Sequence, residues 1–120
     1  MIPTIVQIVI GIVALIVVDS LWLSTFGQYS LKMTEAIQGS PVVFNLLAAV
    51  VVYVALSYIV FQVHSVTEAA LMGSAVYAVY DFTSFALLKK YELGVAIADT
   101  LWGGVLFASV YSILKYLKLN

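Results

Sequence analysis

The chain has 120 residues, of which 64% are hydrophobic and only 9% are charged. Soluble domains carry charges on about a quarter of their residues, and a chain this short cannot bury so much apolar surface, so the composition excludes a soluble protein and predicts one integral membrane domain over residues 1–120. The net charge of −1 gives no electrostatic basis for binding nucleic acid, and the absence of cysteine excludes disulfides and thiolate metal sites.

The first apolar run predicts a membrane-spanning helix over about residues 3–26, with Pro3 in the first helical position. No basic residue precedes this run, so it indicates a span rather than a cleaved signal segment. The apolar runs of the chain are continuous and do not alternate with polar residues, which favours helices over a β-barrel. The link over 24–40 mixes apolar and polar residues and fits either a short interfacial helix or a plain loop.

Three further spans follow, over about residues 41–62, 66–90 and 92–116. Ser40 is the expected N-cap of the second span, and Ser65 opens a capping box before the third. Each span exceeds the roughly 20 residues that cross a hydrocarbon core. The short links make sequential helices antiparallel neighbours. The sequence therefore predicts an all-α integral membrane protein with four transmembrane helices packed as an antiparallel bundle.

Four spans place both termini on the same side of a multi-pass protein. The links on the opposite side carry Lys32, Lys89 and Lys90, whereas the side of the termini carries Lys115 and Lys118. The positive-inside rule then predicts that the lysine-rich links are cytoplasmic. Because the difference is a single lysine, dual topology with antiparallel copies stays an alternative.

Three aspartates lie at one depth of the predicted bundle. Asp19, Asp81 and Asp99 are each seven or eight residues from the same end of their spans, which is about 10–12 Å at 1.5 Å per residue. A charged side chain facing lipid is costly, so all three are expected to point into the bundle. The same helix faces are apolar toward the other end, which predicts a cup closed by an apolar plug.

Polar and aromatic residues are expected to support this cluster. Trp22 and Trp102 each follow an aspartate by three positions and so share its helix face. The other expected supporting residues are Asn45, Tyr77, Tyr80, Thr83 and Ser84. An oxygen-only ligand set suits a proton or a hard divalent metal such as Mg²⁺, Ca²⁺ or Mn²⁺. For each aspartate alone, the alternative is a hydrogen-bonded clamp between helices, with no cofactor.

Three segments carry a family resemblance: "DSLWL" in the first span, "YDFTSFALL" in the third and "ADTLWGG" in the fourth. Their D-x-x-W-L, Y-D-[LF]-T-N-like and D-x-x-W-G motifs, in this order, resemble the family of small four-span membrane proteins catalogued as domain of unknown function 2177. The matching positions are Asp19, Trp22, Tyr80, Asp81, Thr83, Asp99, Trp102 and Gly103. Ser84 departs from the asparagine that is usual in the family, and the first link lacks the usual arginine. The resemblance implies four spans but no activity.

Three functions compete on this evidence. The first is a membrane protein that binds a cation in the carboxylate cluster and transports it as a homo-oligomer, which we take to be a dimer. The second is an enzyme acting on a lipid or isoprenoid at one bilayer face, with Lys32, Lys89 and Lys90 holding a phosphate. The third is a structural or accessory subunit. The absence of arginine and of a buried histidine favours a non-enzymatic role.

Overall fold

The computed structural model describes residues 2–120, which form five α-helices and, within that range, no strand. The helices are α1 (Ile5–Leu23), α2 (Phe26–Gln38), α3 (Leu46–Val60), α4 (Val66–Leu87) and α5 (Leu93–Tyr116). Helices α1, α4 and α5 are long and apolar enough to cross a membrane, whereas the apolar α3 has only 15 residues. The predicted all-α class is confirmed.

The first helix begins later than the sequence predicted. Thr4, and not Pro3, sets its start, because the Thr4 hydroxyl accepts a hydrogen bond from the Gln7 backbone N–H while the Gln7 side chain accepts one from the Thr4 N–H. Such a capping box satisfies two donors that the first helical turn leaves free. Pro3 therefore lies outside the helix, before its cap.

The link after the first helix is itself helical, so the interpretation as a plain loop is wrong. Helix α2 begins at Phe26, so that only two residues separate it from α1, and it is followed by Gly39 with φ of 73°. The Gly39 N–H donates to the Glu35 carbonyl at 2.9 Å. A left-handed residue at this position is the usual helix stop, and glycine adopts it without the steric cost of a Cβ.

The second predicted span also starts later, at Leu46 instead of Pro41. Residues 41–45 are not helical, because their backbone groups bond to α2: the Gln38 amide donates to the Pro41 carbonyl, and the Val42 N–H donates to Glu35. Ser40 is therefore not the cap. That position belongs to Asn45, whose side chain accepts from the Ala48 N–H at 3.0 Å.

The third and fourth predicted spans correspond to α4 and α5. Ser65 caps α4 as expected, since its hydroxyl accepts from the Glu68 N–H at 3.0 Å. The two helices pack on each other at glycine: a Cβ added to Gly103 would lie 2.6 Å from the Gly73 carbonyl oxygen. Small residues at such crossings let two membrane helices approach closely.

Hydrogen bonds show that α1 runs in the opposite direction to α3 and to α5. Near the start of α1, the Ile8 carbonyl accepts from Ser57 near the end of α3, and Gln7 donates to Leu119 at the end of the chain. Near the end of α1, Asp19 contacts the middle of α3 and of α5. Asp19, near the end of α1, therefore lies away from the end of the helices where Gln7 and Ile8 make their contacts.

The end opposite to Asp19 is filled by apolar side chains. Several of them are completely buried, namely Leu15, Val60, Leu106, Phe107, Val110 and Leu114. By contrast, large apolar side chains on the outer faces are mostly exposed, including Leu21 at 67% and Val79 at 71%. The apolar outer surface suits a lipid environment, and the packed end fits the predicted plug beneath a polar cup.

Candidate functional site

Asp19 joins three helices through two hydrogen bonds. It lies in the last turns of α1, where only 6% of it is exposed. Its Oδ2 accepts from the Tyr53 hydroxyl of α3 at 2.7 Å, and its Oδ1 accepts from the Trp102 indole N–H of α5 at 2.9 Å. Each carboxylate oxygen therefore has a donor, as a buried acceptor requires.

The repeated Asp-x-x-Trp spacing forms a crossed pair between α1 and α5. Trp102 donates to Asp19, while the side chain of Asp99 is within hydrogen-bonding reach of the Trp22 indole. The two indoles stack with centroids 5.1 Å apart and planes within 6°. Because the two helices run in opposite directions, each tryptophan reaches the aspartate of the other helix.

Asp81 is different, because one of its oxygens lacks a partner. The residue is completely buried in α4. Its Oδ1 accepts from the Tyr91 hydroxyl at 2.7 Å, but Oδ2 has no hydrogen-bond partner. The Asp99 carboxyl group is within reach of Asp81. An unsatisfied buried polar group costs about 1–3 kcal/mol, and a charged one more, so Oδ2 is the position where a further donor would bind.

A cavity of about 240 Å³ brings the three aspartates together. It is lined by Asp19 and Trp22 of α1, by Asp81 of α4 and by Asp99 of α5. The remaining lining residues are Leu23, Gly27, Ser30, Met33, Thr34, Tyr77, Tyr80, Tyr91 and Val95. Within residues 2–120, no basic side chain lines this cavity. We call it the acidic cavity.

Helix α2 covers one side of the acidic cavity. It is held on the link between α4 and α5, since the Tyr29 hydroxyl donates to Glu92 at 2.5 Å and the Glu92 N–H donates to the Met33 sulfur at 3.3 Å. In the same link, burial and then the hydrogen bond to Asp81 raise the pKa of Tyr91 well above its ordinary value. Tyr91 therefore remains a hydrogen-bond donor to Asp81.

The structure divides the expected supporting residues into two groups. Trp22, Tyr77 and Tyr80 line the acidic cavity, and Trp102 bonds to Asp19. Three others do not join the cluster. Asn45 is an exposed helix cap, Thr83 lines a separate hollow on the outer face of α4, and Ser84 donates to the Tyr80 carbonyl of its own helix.

Sequence reasoning missed four contributors. Tyr53 and Tyr91 donate to the aspartates, and Ser30 and Thr34 of α2 line the cavity. Tyr53 lies 34 positions from Asp19 along the chain, so the sequence alone gives no sign of their contact. Tyr91 lies in the link between α4 and α5, and nothing in its immediate sequence indicates a contact with Asp81. The helical spacing of Ser30, Met33 and Thr34 was the one available signal.

The metal role of the three aspartates stays a prediction. In residues 2–120, no group of three histidine, cysteine, aspartate or glutamate side chains is placed to hold a metal ion. Asp19 has both oxygens engaged by uncharged donors. The pair formed by Asp81 and Asp99 offers two carboxyl groups, and water would have to supply most of the six or more oxygen ligands that Mg²⁺ or Ca²⁺ takes.

Fold and site together define a membrane protein with long apolar helices around a buried acidic cluster. The chain belongs to the family described as predicted membrane protein (DUF2177), whose model matches residues 4–117. The resemblance seen in the three sequence motifs is thus confirmed. No curated protein and no solved structure matches the chain.

Proposed function

We propose that this protein crosses the membrane four times and binds a proton between Asp81 and Asp99. In the proposed topology α3 is the second span. Its 15 residues extend about 22 Å, and the apolar residues 42–44 continue it to the bilayer surface. Both termini then share one side, and the side with Lys32, Lys89 and Lys90 is cytoplasmic by the positive-inside rule.

Cysteine labelling tests this topology, because the chain contains no cysteine of its own. The single variants Lys32→Cys and His64→Cys lie at exposed positions on either side of α3 and should react with a membrane-impermeant maleimide from opposite sides of sealed vesicles. Labelling of both positions from both sides would indicate dual topology. Labelling of both from one same side would contradict the four spans.

The proposal of a shared proton depends on one observation, the unpartnered Oδ2 of Asp81 next to Asp99. An ionised carboxylate accepts hydrogen bonds but has no hydrogen to donate. Two ionised carboxylates in contact also repel each other, and none of the described residues 2–120 that line the cavity is basic and could offset them. One proton held by the pair provides the missing donor and removes the repulsion.

A proton suits the site better than the other ligands predicted from the sequence. A Mg²⁺ or Ca²⁺ ion between these two carboxyl groups would depend on water for most of its ligands, whereas a proton needs only one oxygen of each group. Lys32, Lys89 and Lys90 do not line the cavity, which disfavours the enzyme that would hold a lipid phosphate. A purely structural role suits Asp19, whose oxygens are both satisfied, but leaves the arrangement of Asp81 unexplained. Transport through a dimer remains part of the proposal, because a packed apolar end lies beneath the site in one protomer.

Infrared difference spectroscopy of the protein in lipid nanodiscs tests the proton site. The wild-type protein should show the C=O stretch of a protonated carboxyl group that shifts in D₂O. Asp81→Asn and Asp99→Asn should each remove this band. The matched control Asp19→Asn should keep it, because both oxygens of Asp19 already accept hydrogen bonds from Tyr53 and Trp102.

Two results would overturn the assignment. One is a wild-type spectrum without a protonated carboxyl band, and the other is a band that survives in both Asp81→Asn and Asp99→Asn. Thermal unfolding with added Mg²⁺ or Ca²⁺ adds a separate check. A metal-dependent increase in the melting temperature that disappears in Asp81→Asn would replace the proton with a divalent metal.

A further inference from the structure

A second hollow, of about 390 Å³, adjoins the acidic cavity. We call it the apolar groove. Its walls are α3, through Val52, Ala55, Leu56 and Ile59, and α4, through Val76, Tyr77 and Tyr80. Asp99 lines the groove as well. Tyr77, Tyr80 and Asp99 therefore line both hollows, so the apolar groove and the acidic cavity are direct neighbours.

The size and position of the groove suit the tail of an amphiphile. Ligand pockets commonly enclose about 300–1,000 Å³, and the groove alone falls in this range. It lies between two helices that do not pack closely on each other, whereas α4 and α5 are in close contact. A molecule dissolved in the bilayer could enter sideways between α3 and α4 without crossing water.

The charge of the acidic cavity decides which head group fits at the end of the apolar groove that is next to it. The acidic cavity holds three carboxyl groups and no lining basic residue within residues 2–120, so a phosphate or carboxylate head group would be repelled. A protonated amine carries three N–H donors and one positive charge. It would supply the donor that Asp81 Oδ2 lacks. The rings of Tyr77 and Tyr80 add aromatic faces, which attract ammonium groups.

We propose that the apolar groove and the acidic cavity together bind a single-chain amphiphile with a protonated amine head. The head lies between Asp81 and Asp99, and the tail lies between α3 and α4. This inference deepens the proposed function, because it names an organic cation for the same carboxyl pair. Proton and amine then compete for the same oxygens, so acid weakens amine binding.

Other ionisable groups surround this pair. Asp19 of α1 lines the acidic cavity, as do Tyr77 and Tyr80 of α4 and Tyr91 of the following link. Tyr53 of α3 donates to Asp19, and α2 contributes no ionisable side chain to the lining. Asp19 keeps both of its donors, and the tyrosines are uncharged donors. The competition is therefore expected at Asp81 and Asp99.

Tryptophan fluorescence gives a direct readout, since Trp22 lines the acidic cavity and Trp102, the other tryptophan of the chain, stacks on it. The protein in nanodiscs is titrated with dodecylamine, dodecanol and sodium dodecanoate, which share a tail and differ in head charge. Dodecylamine should change the emission saturably and bind at least about tenfold more tightly than the other two. Methylamine, which lacks the tail, should bind more weakly than dodecylamine.

Two variants test the binding of the amine head group and the binding of the tail separately. Asp99→Asn should weaken dodecylamine binding about tenfold by removing one charged partner. Ala55→Phe fills the apolar groove and should weaken binding by a similar factor. The matched control is Ala86→Phe, which adds the same side chain on the outer face of α4. It should leave the affinity within about twofold, as surface substitutions usually do.

The outcomes distinguish this inference from the proton site. Equal affinities for dodecylamine and dodecanol would overturn the amine inference, even if the protonated carboxyl band is present and requires Asp81. Loss of binding in Ala86→Phe equal to that in Ala55→Phe would also overturn it. Tight, Asp99-dependent dodecylamine binding without any protonated carboxyl band would support the amine and contradict the shared proton. Weaker binding as the pH is lowered supports competition at the pair.

Discussion

Asp19 and Asp81 are two buried aspartates in one cavity, and their surroundings differ in kind. Asp19 accepts one hydrogen bond on each oxygen, from Tyr53 and Trp102. Asp81 accepts one bond from Tyr91, leaves its other oxygen free and faces a second carboxyl group. A carboxylate whose acceptors are all satisfied fixes the positions of helices, whereas one with a free acceptor can take up a proton or a ligand.

The two sites also connect different sets of helices. Asp19 connects α1 with α3 and α5, and its partners lie on helices that are far apart in sequence. The pair Asp81–Asp99 lies at the interface of α4 with α5, beside their short link and under α2. The predictions below test whether the first site is structural and the second binds a ligand.

The largest expected effect comes from Gly103→Ala. The added Cβ would lie 2.5 Å from Tyr77 Cγ and 2.6 Å from the Gly73 carbonyl oxygen, so α4 must move away from α5. We expect a loss of about 3 kcal/mol in the free energy of unfolding, together with loss of the protonated carboxyl band. Reversible unfolding in bicelles and infrared spectroscopy measure the two changes.

Gly94→Ala is the matched control on the same helix, because a Cβ there meets nothing within 4 Å. It should be neutral or slightly stabilising, since alanine has the higher helix propensity. If Gly103→Ala is as stable as Gly94→Ala, the tight contact between α4 and α5 does not exist.

The next largest effect is expected when the same change, aspartate to asparagine, is made at Asp19 and at Asp81. In Asp19→Asn the new amide N–H group would face a donor, either the Tyr53 hydroxyl or the Trp102 N–H, and we expect a loss of about 1–3 kcal/mol. In Asp81→Asn the amide oxygen still accepts from Tyr91 while the amide N–H donates toward Asp99. That variant should unfold within about 0.5 kcal/mol of the wild type. Equal losses in the two variants would show that both aspartates are structural.

Removing single tyrosine hydroxyls should have smaller effects. Tyr53→Phe deletes one donor to Asp19 and should cost about 1 kcal/mol of unfolding free energy without changing the carboxyl band. Tyr91→Phe deletes the donor to Asp81 and should shift the frequency of that band. A band that shifts in Tyr53→Phe and not in Tyr91→Phe would reverse the assignment of the two sites.

The smallest expected effect concerns how α2 is held over the cavity at alkaline pH. The hydrogen bond to Glu92 raises the pKa of Tyr29 above its ordinary value of 10.0. A raised folded-state pKa means that the bond contributes fully below the ordinary tyrosine pKa and is lost as the pH rises through the raised value. Tyrosinate absorbance of the wild type minus that of Tyr29→Phe isolates this titration.

Glu92→Gln is the control for that titration, because it removes the negative charge and keeps a side-chain acceptor. The Tyr29 titration should move back toward the ordinary tyrosine range, and hydrogen exchange in α2 should become faster. An unchanged titration in Glu92→Gln would mean that Glu92 does not hold α2 in place.

Much of the molecule is determined by local sequence. The lengths of the apolar runs determine α1, α4 and α5, because a span must satisfy its own backbone in lipid. Ser65 determines the start of α4 through its bond to the Glu68 N–H. The common depth of the three aspartates follows from helical rise alone, and they do line one cavity. The family could be recognised because its motifs are short and contiguous.

Tertiary structure decided the rest, since it depends on partners that are distant in the chain. Residues 41–45 could have extended the second helix, but side chains of α2 provide their hydrogen bonds instead. The spacing places each tryptophan on the face of the aspartate of its own helix, but Trp102 bonds to Asp19 of the other helix, because α1 and α5 run in opposite directions. Which carboxylate is satisfied and which has a free oxygen depends on where Tyr53 and Tyr91 lie, and only helix packing determines those positions.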